Sequence, residues 1–222
     1  MPLPSRRSTE PRKTDGVFCI LTVCSGNLCR SPQAAQLLRA RIPAAFGRES
    51  IPALSVESAG TKAFDGDPMD KLAAAAAVRL GVSDTAEHRA RRVVAAHVGD
   101  ADLILGMARE HRAAAASLVP NANRRVFTLV EFSRIVDAVA RGEVGAELAP
   151  LGDDGFTAFM RRVVDVAVTV RGLMPMPESQ EELDVEDPYR LEPEVYLRSA
   201  DALDEHVTRI AGGLYALAAG RP

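Results

Sequence analysis

Cys24 and Arg30, separated by five residues in Cys24-Ser25-Gly26-Asn27-Leu28-Cys29-Arg30-Ser31-Pro32, stand where an apolar run gives way to a helical pattern. This is the spacing of a phosphate cradle with a nucleophile at its base. The loop is long enough to wrap backbone N–H groups around a tetrahedral oxyanion. It is also short enough for the Arg30 guanidinium to fold back over the Cys24 sulfur and grip two oxygens. Ser31 suits an N-cap and Pro32 the first helical position, which points the positive end of the helix at the same spot. A helix N-terminus and an adjacent cation lower a cysteine pKa from roughly 8.5 to about 3.5–7.5, so a thiolate is the expected resting form and a nucleophile toward bound phosphate. Gly26 and Asn27 fall where such a loop needs positive φ and side-chain bracing. A small polar loop between strand and helix has the same spacing, but not the joint fit of buried strand, loop and capped helix.

The elements that must position this loop follow from hydrophobic patterning. Residues 17–23 form a continuous apolar run, as expected of a strand buried on both faces, and residues 32–42 continue as a helix. A second strand is expected at 53–58. Gly60, Gly66 and Pro68 then lead to an alanine-rich helix reaching about Leu80 and stopped by Gly81. Residues 101–107 read as a third strand, 109–118 as a helix and 126–129 as a short fourth strand. Strands alternating with helices predict an α/β fold: a doubly wound open sheet of about four parallel strands with helices on both faces, flavodoxin-like, with its ligand at the carboxyl end of the first strand. A segment at about 139–182 carries several glycines, a helical pattern from Phe156 to Val170 and Met174-Pro175-Met176-Pro177, and is expected to add a helix or lid over the sheet edge. Glu194 to Leu217 closes as a long amphipathic helix. Residues 1–16 read as a mobile tail and 17–222 as one domain.

Composition narrows the class. With 222 residues, 47% of them hydrophobic, the chain can bury one good core. A net charge of −3 argues against general nucleic-acid affinity, and Arg6, Arg7, Arg12 and Lys13 read as a solubilising feature of the tail. No apolar run reaches the length of a membrane span, and no secretory cleavage pattern follows the basic start. The three cysteines, Cys19, Cys24 and Cys29, cluster too closely for a secreted disulfide framework, so a reducing cytoplasm is expected. Zinc is not implied, since no second ligand cluster follows at a suitable spacing. Cys19, inside the strand, reads as inert core.

Val23 to Pro32 resembles the signature of the low-molecular-weight protein-tyrosine phosphatase family. Ser58-Ala59-Gly60-Thr61, Glu87-His88-Arg89-Ala90-Arg91 and Asp187-Pro188-Tyr189 are similar to further stretches of that family, so the resemblance covers roughly residues 17–132 and 184–218. It implies a cytoplasmic phosphatase without metal or cofactor, acting through a cysteinyl-phosphate on a phosphotyrosine-containing protein, a tyrosine kinase being one such protein. Cys24 would attack phosphorus while Arg30 holds the phosphoryl oxygens. A leaving oxygen also needs a proton that neither can supply. Glu181, Glu182, Asp184, Glu186 and Asp187 could be a solvated acidic run, and the Asp-Pro-Tyr resemblance singles out Asp187 as the acid, on a loop stiffened by Pro188.

The resemblance implies other roles as well. Ser31 would donate to the Cys24 sulfur, in competition with capping. Cys29 would be a resolving thiol for oxidised Cys24, unless it is only a small buried filler. Asn27, Ser58 and His88 would brace the loop, while Ser25, Gly26 and Leu28 would line it. Leu28, Tyr189 and Phe64 would form an apolar slot for a flat ring, although Phe64 could equally be core. Within the family a threonine at the Leu28 position goes with phosphoarginine and an aliphatic residue with phosphotyrosine. The alternatives are a phosphoarginine phosphatase, an arsenate reductase on the same scaffold, or a non-catalytic phosphate-binding module. A thioredoxin-coupled reductase needs further cysteines downstream, and none follows Cys29.

Overall fold

The computed structural model describes residues 16–220. The tail expected at 1–16 lies outside them except for Gly16. Four parallel strands, β1 (Phe18–Cys24), β2 (Leu54–Gly60), β3 (Leu103–Gly106) and β4 (Val126–Thr128), form one sheet in the order β2-β1-β3-β4. In β1, side chains alternate between two cores. Phe18 and Ile20 enter one core, and Leu21 and Val23 enter the other. The first core is closed by α1 (Arg30–Ala45), α2 (Lys71–Arg79), α5 (Leu129–Ala140), α6 (Gly155–Val170) and α7 (Pro193–Ala218). The second is closed by α3 (Ala95–Asp100) and α4 (Arg109–Leu118), through Val98 and Ala115. This is the doubly wound α/β arrangement expected from the alternating pattern.

Several element boundaries differ from expectation for local reasons. Helix α1 begins at Arg30, and Cys29 occupies the cap position without a side-chain capping bond, so Ser31 is not the N-cap and Pro32 is the third helical residue. The Ser31 hydroxyl turns inward to the loop, while its carbonyl accepts from Thr22 Oγ1 at 2.8 Å. Strand β2 runs on to Gly60 because it pairs with β1 up to Cys24. Strand β3 starts only at Leu103, since Asp102 turns its carboxylate to accept from Cys19 N at 3.0 Å. Helix α2 has a firm start, its Asp70 carboxylate accepting from Leu72 N and Ala73 N, and Gly81 stops it at φ 86°. Helix α5 has no counterpart among the expectations, although Thr128 and Glu131 form a reciprocal capping box at its start.

The 139–182 segment does contain the expected helix, but that helix is core. Thr157 Oγ1 of α6 donates to Gly16 O at 2.8 Å and Arg161 reaches Asp102 at 3.3 Å, so α6 crosses the amino ends of the strands, away from Cys24. Phe159, Met160, Val163 and Ala167 fill the first core. Just beyond α6, Arg171 covers the edge strand β4: it donates to Val126 O at 2.6 Å, pairs with Glu131 at 2.8 Å and lies 3.9 Å over the Phe127 ring. No helix among the described residues is long and apolar enough to cross a membrane.

Candidate active site

All four strands end at the same side of the sheet, and the loop leaving β1 lies there. At its base Cys24 is 3% exposed. Asn27 N donates to its Sγ at 3.3 Å, and Ser31 Oγ lies 3.0 Å from it. Asn27 takes φ 56°, the left-handed conformation that asparagine tolerates better than most residues; Gly26, expected to share that need, keeps a negative φ. The turn at Asn27 is what aims a backbone N–H at the sulfur.

The brace expected around Asn27 is assembled from three chain-distant segments. Its side-chain amide donates to Ser31 Oγ and to Ser58 Oγ, both at 2.9 Å, and its Oδ1 accepts from Arg91 N at 3.0 Å. His88 Nε2 donates to the Asn27 carbonyl at 2.7 Å. Burial lowers the pKa of His88, which keeps it the neutral imidazole with its proton on Nε2. Ser31 accepts from Asn27, so its single hydroxyl proton is left for Cys24 Sγ or for Ala59 O at 3.2 Å. Gly60 at the end of β2 presses directly on the loop. A Cβ there would lie 2.5 Å from Ser25 O and 2.8 Å from Asn27 N.

Arg30 is 4% exposed and joins the loop to the segment that carries Asp187. Its Nη1 donates to Val185 O at 3.0 Å and its Nη2 to Asp187 Oδ2 at 2.5 Å. Both fork nitrogens therefore face the acidic segment rather than standing open above Cys24, and Nε is buried without a partner. An oxyanion in the cradle would meet that unsatisfied donor. Asp187 is bonded also by Tyr189 N, which donates to its Oδ1 at 3.2 Å, and stays about half exposed.

Above the sulfur opens a cleft of about 210 Å³, floored by Cys24, Ser25, Gly26 and Arg30 and walled by Leu28, Phe64, Tyr189 and Asp187. Phe64 is 77% exposed, so it belongs to the rim and not to the core. Lys62 and Asp67 add one charge of each sign to the wall. Cys29 is 5% exposed and lines the cleft; burial, with Asp70 and Cys24 adding to it, pushes its thiol far up, so it stays protonated. No group of three or more His, Cys, Asp or Glu side chains among the described residues is placed to hold a metal ion.

Three neighbours of the site escape the sequence pattern. His111 of α4 is 1% exposed, its Nε2 2.9 Å from Ser25 Oγ and its Nδ1 without a partner. Burial and then Arg30 bring its pKa down to about 4. Arg91 secures Asn27 from outside, and Arg109 holds Asp184. Each lies far along the chain from the residue it touches; Arg91 falls in the Glu87–Arg91 stretch, but no local motif marks His111 or Arg109.

Similarity to known proteins falls on the cradle and the segments that brace it. Residues 19–144 match the family of the low molecular weight phosphotyrosine protein phosphatases. A probable low molecular weight protein-tyrosine-phosphatase, EpsP of Ralstonia nicotianae, is 39% identical over 115 residues, 52% of this chain and 72% of that protein. A protein-arginine-phosphatase of Geobacillus stearothermophilus is 33% identical over 115 residues, 52% of this chain and 71% of that protein. Among solved structures, a low molecular weight protein tyrosine phosphatase from T. tengcongensis superposes with TM-score 0.57 at 27% identity, covering 86% of this chain and 96% of the other. The match spans the cradle, the Ser58–Thr61 strand end and the His88–Arg91 brace, and on that ground the chain belongs to the low molecular weight phosphotyrosine protein phosphatase family.

Proposed function

We propose that this phosphatase-family protein hydrolyses phosphotyrosine, with Cys24 as nucleophile, Arg30 as phosphoryl anchor and Asp187 as general acid and base. The observation that carries the reading is the cleft itself, which has a sulfur at its floor, Asp187 at its wall and the apolar faces of Leu28, Phe64 and Tyr189 between them. Such a slot suits an aromatic ring standing on a phosphate. The Cys24 sulfur attacks phosphorus as the P–O bond to the phenol breaks, and the phenolic oxygen takes the proton of Asp187. Water then gives a proton to the Asp187 carboxylate and its oxygen to phosphorus, releasing phosphate and the Cys24 thiolate. Asn27 N–H and the Ser31 hydroxyl lie where they stabilise that departing sulfur. The buried Arg30 Nε and the loop amides serve the equatorial oxygens, whose charge must be met in the transition state.

Phosphoarginine is the second reading. It is favoured by the Asp67 carboxylate in the cleft wall, which complements a guanidinium, and by the similarity to a protein-arginine-phosphatase. Initial rates on phosphotyrosine, phosphoserine and phosphoarginine peptides decide between them. Rapid quench of the wild type should trap a phosphoenzyme that Cys24→Ser lacks, while Cys24→Ser still binds inorganic phosphate through the cradle and Arg30. Substantial turnover by Cys24→Ser refutes the covalent route, and faster hydrolysis of phosphoarginine assigns the other substrate.

A further inference from the structure

The acidic segment is fastened to the body of the protein by a pair of residues that no part of the chemistry above uses. Asp184 lies three residues ahead of Asp187, and its carboxylate receives Arg109 three ways: from the backbone N at 2.7 Å, from Nε at 3.1 and 3.2 Å, and from Nη2 at 3.1 Å. Arg109 is the first residue of α4, and the cap residue Ala108 has no side-chain acceptor for the helix's free N–H groups. Asp184 supplies that acceptor from 75 residues away. The next residue, Val185, donates its N–H to Met107 O at 2.8 Å and accepts from Arg30 Nη1 at 3.0 Å. Beyond it Glu186 O accepts from Ser199 Oγ at 2.9 Å. The chain from 184 to 187 is thus a strap pinned at each successive residue, and its outermost pin is the Arg109–Asp184 pair.

The same guanidinium reaches back into the 139–182 segment. Arg109 Nη1 donates to Gln180 Oε1 at 2.8 Å, and Nη2 lies 3.4 Å from Glu181 Oε1. The short 3-10 turn Gln180–Leu183 therefore ends on the group that holds the strap.

We propose that Arg109 and Asp184 are positioning residues for the proton transfer: they fix the strap so that the Asp187 carboxyl stands over the leaving oxygen, and they tie the 139–182 segment to that geometry. The inference rests on the reading of Asp187 as the acid. A partly exposed ion pair contributes little to overall stability. Placement of a reacting group is far more sensitive, a misplacement of about 1 Å costing roughly a hundredfold in rate. The pair should accordingly be visible in catalysis before it is visible in unfolding.

The test measures kcat/KM for a series of aryl phosphates whose phenols range from strongly acidic nitrophenols to unsubstituted phenol. Wild type is compared with Asp184→Asn, Arg109→Gln, Asp187→Asn and the double variant Asp184→Asn/Asp187→Asn, with inhibition by inorganic phosphate and the urea midpoint recorded for each. Asp184→Asn and Arg109→Gln should lose about ten- to a hundredfold on phenyl phosphate and only about threefold on the most activated ester, since a good leaving group needs little proton assistance. Inorganic phosphate should inhibit them as it does the wild type. In the Asp187→Asn background, Asp184→Asn should add no further dependence on the leaving group. Equal losses across the series, or none, with Asp187→Asn still selective for poor leaving groups, overturn the positioning role alone. If Asp187→Asn itself shows no such selectivity, the acid assignment falls and the strap's role with it.

Discussion

Gly60→Ala is the substitution whose effect follows most directly from a distance. A methyl at this position would meet Ser25 O at 2.5 Å, Asn27 N at 2.8 Å and Ala63 Cβ at 3.0 Å. Neither backbone can give easily. Gly60 is held by its N–H to Arg91 O and its carbonyl to Val93 N, both at 2.9 Å, while Thr61 N and Lys62 N bind the carbonyls of Cys24 and Ser25. Reaching the 3.4 Å of an ordinary contact means moving the cradle by about 0.9 Å, from 2.5 Å. Displacement on that scale costs roughly a hundredfold in rate where reacting groups are positioned by the moved atoms, and overpacking of this kind costs about 1–3 kcal/mol of stability. The assay is kcat/KM on a phosphotyrosine peptide beside the affinity for inorganic phosphate and the urea midpoint. We expect a loss near a hundredfold in kcat/KM with weakened phosphate binding, because the backbone that moves belongs to the loop proposed to cradle the oxyanion and includes Asn27 N, the donor to Cys24 Sγ. Turnover within threefold of wild type at an unchanged urea midpoint would refute the argument that the strand end shapes the cradle.

Cys29 and His111 give two further tests. Peroxide should convert Cys24 to a sulfenic acid that Cys29 displaces with loss of water, so wild type recovers with dithiol, whereas Cys29→Ala, active beforehand, is lost irreversibly; equal recovery makes Cys29 packing only. Because its thiol is held protonated by burial, closure should quicken as pH rises, which peptide mapping of the Cys24–Cys29 disulfide against pH would follow. His111 titrates near 4 in the fold against 6.5 in an unfolded chain, so the unfolded state holds the extra proton between those values. Its contribution to stability is complete above pH 6.5 and is lost as pH falls toward 4, by roughly 3 kcal/mol. His111→Asn should remove that share of the acid slope in urea titrations, leaving the slope of groups such as His88, His97 and His206, whose pKa values are also lowered; an unchanged slope would count against a buried neutral His111.

What could be read from the sequence is what local chemistry determines. The apolar run of β1 and the Gly81 stop are each settled within a few residues, and the expected helix at 109–118 coincides with α4. The position of the cradle, a loop between β1 and α1 with Asn27 at φ 56°, is equally local, although its brace is drawn from Ser58, His88 and Arg91. The errors arise where a distant partner decides. Ser31 has the chemistry of an N-cap, yet Asn27 and Cys24 draw its hydroxyl inward. Gly60 carries no unusual φ to announce itself, and its need appears only when Ser25 is laid against it. The acidic run from Glu181 to Asp187 looks uniform in sequence. In the fold it is sorted residue by residue: Asp184 goes to Arg109, Glu186 to Arg198 and Asp187 to Arg30.

That sorting bears on how the site works when empty and when filled. A guanidinium only 4% exposed is costly without an anionic or carbonyl partner, and Asp187 and Val185 satisfy two of the Arg30 nitrogens before any substrate arrives. On the proposed function, a phosphoryl dianion in the cradle would bring its own oxygens to the same guanidinium, where Nε is unpartnered. On that same proposal, a fork turned toward phosphate would hold Asp187 less firmly and would free its carboxyl for the leaving oxygen. The strap must then be held by something other than Arg30. The bonds from Arg109 to Asp184, from Val185 to Met107 and from Ser199 to Glu186 are independent of the phosphate, and they leave Asp187 free to change partners without leaving its place.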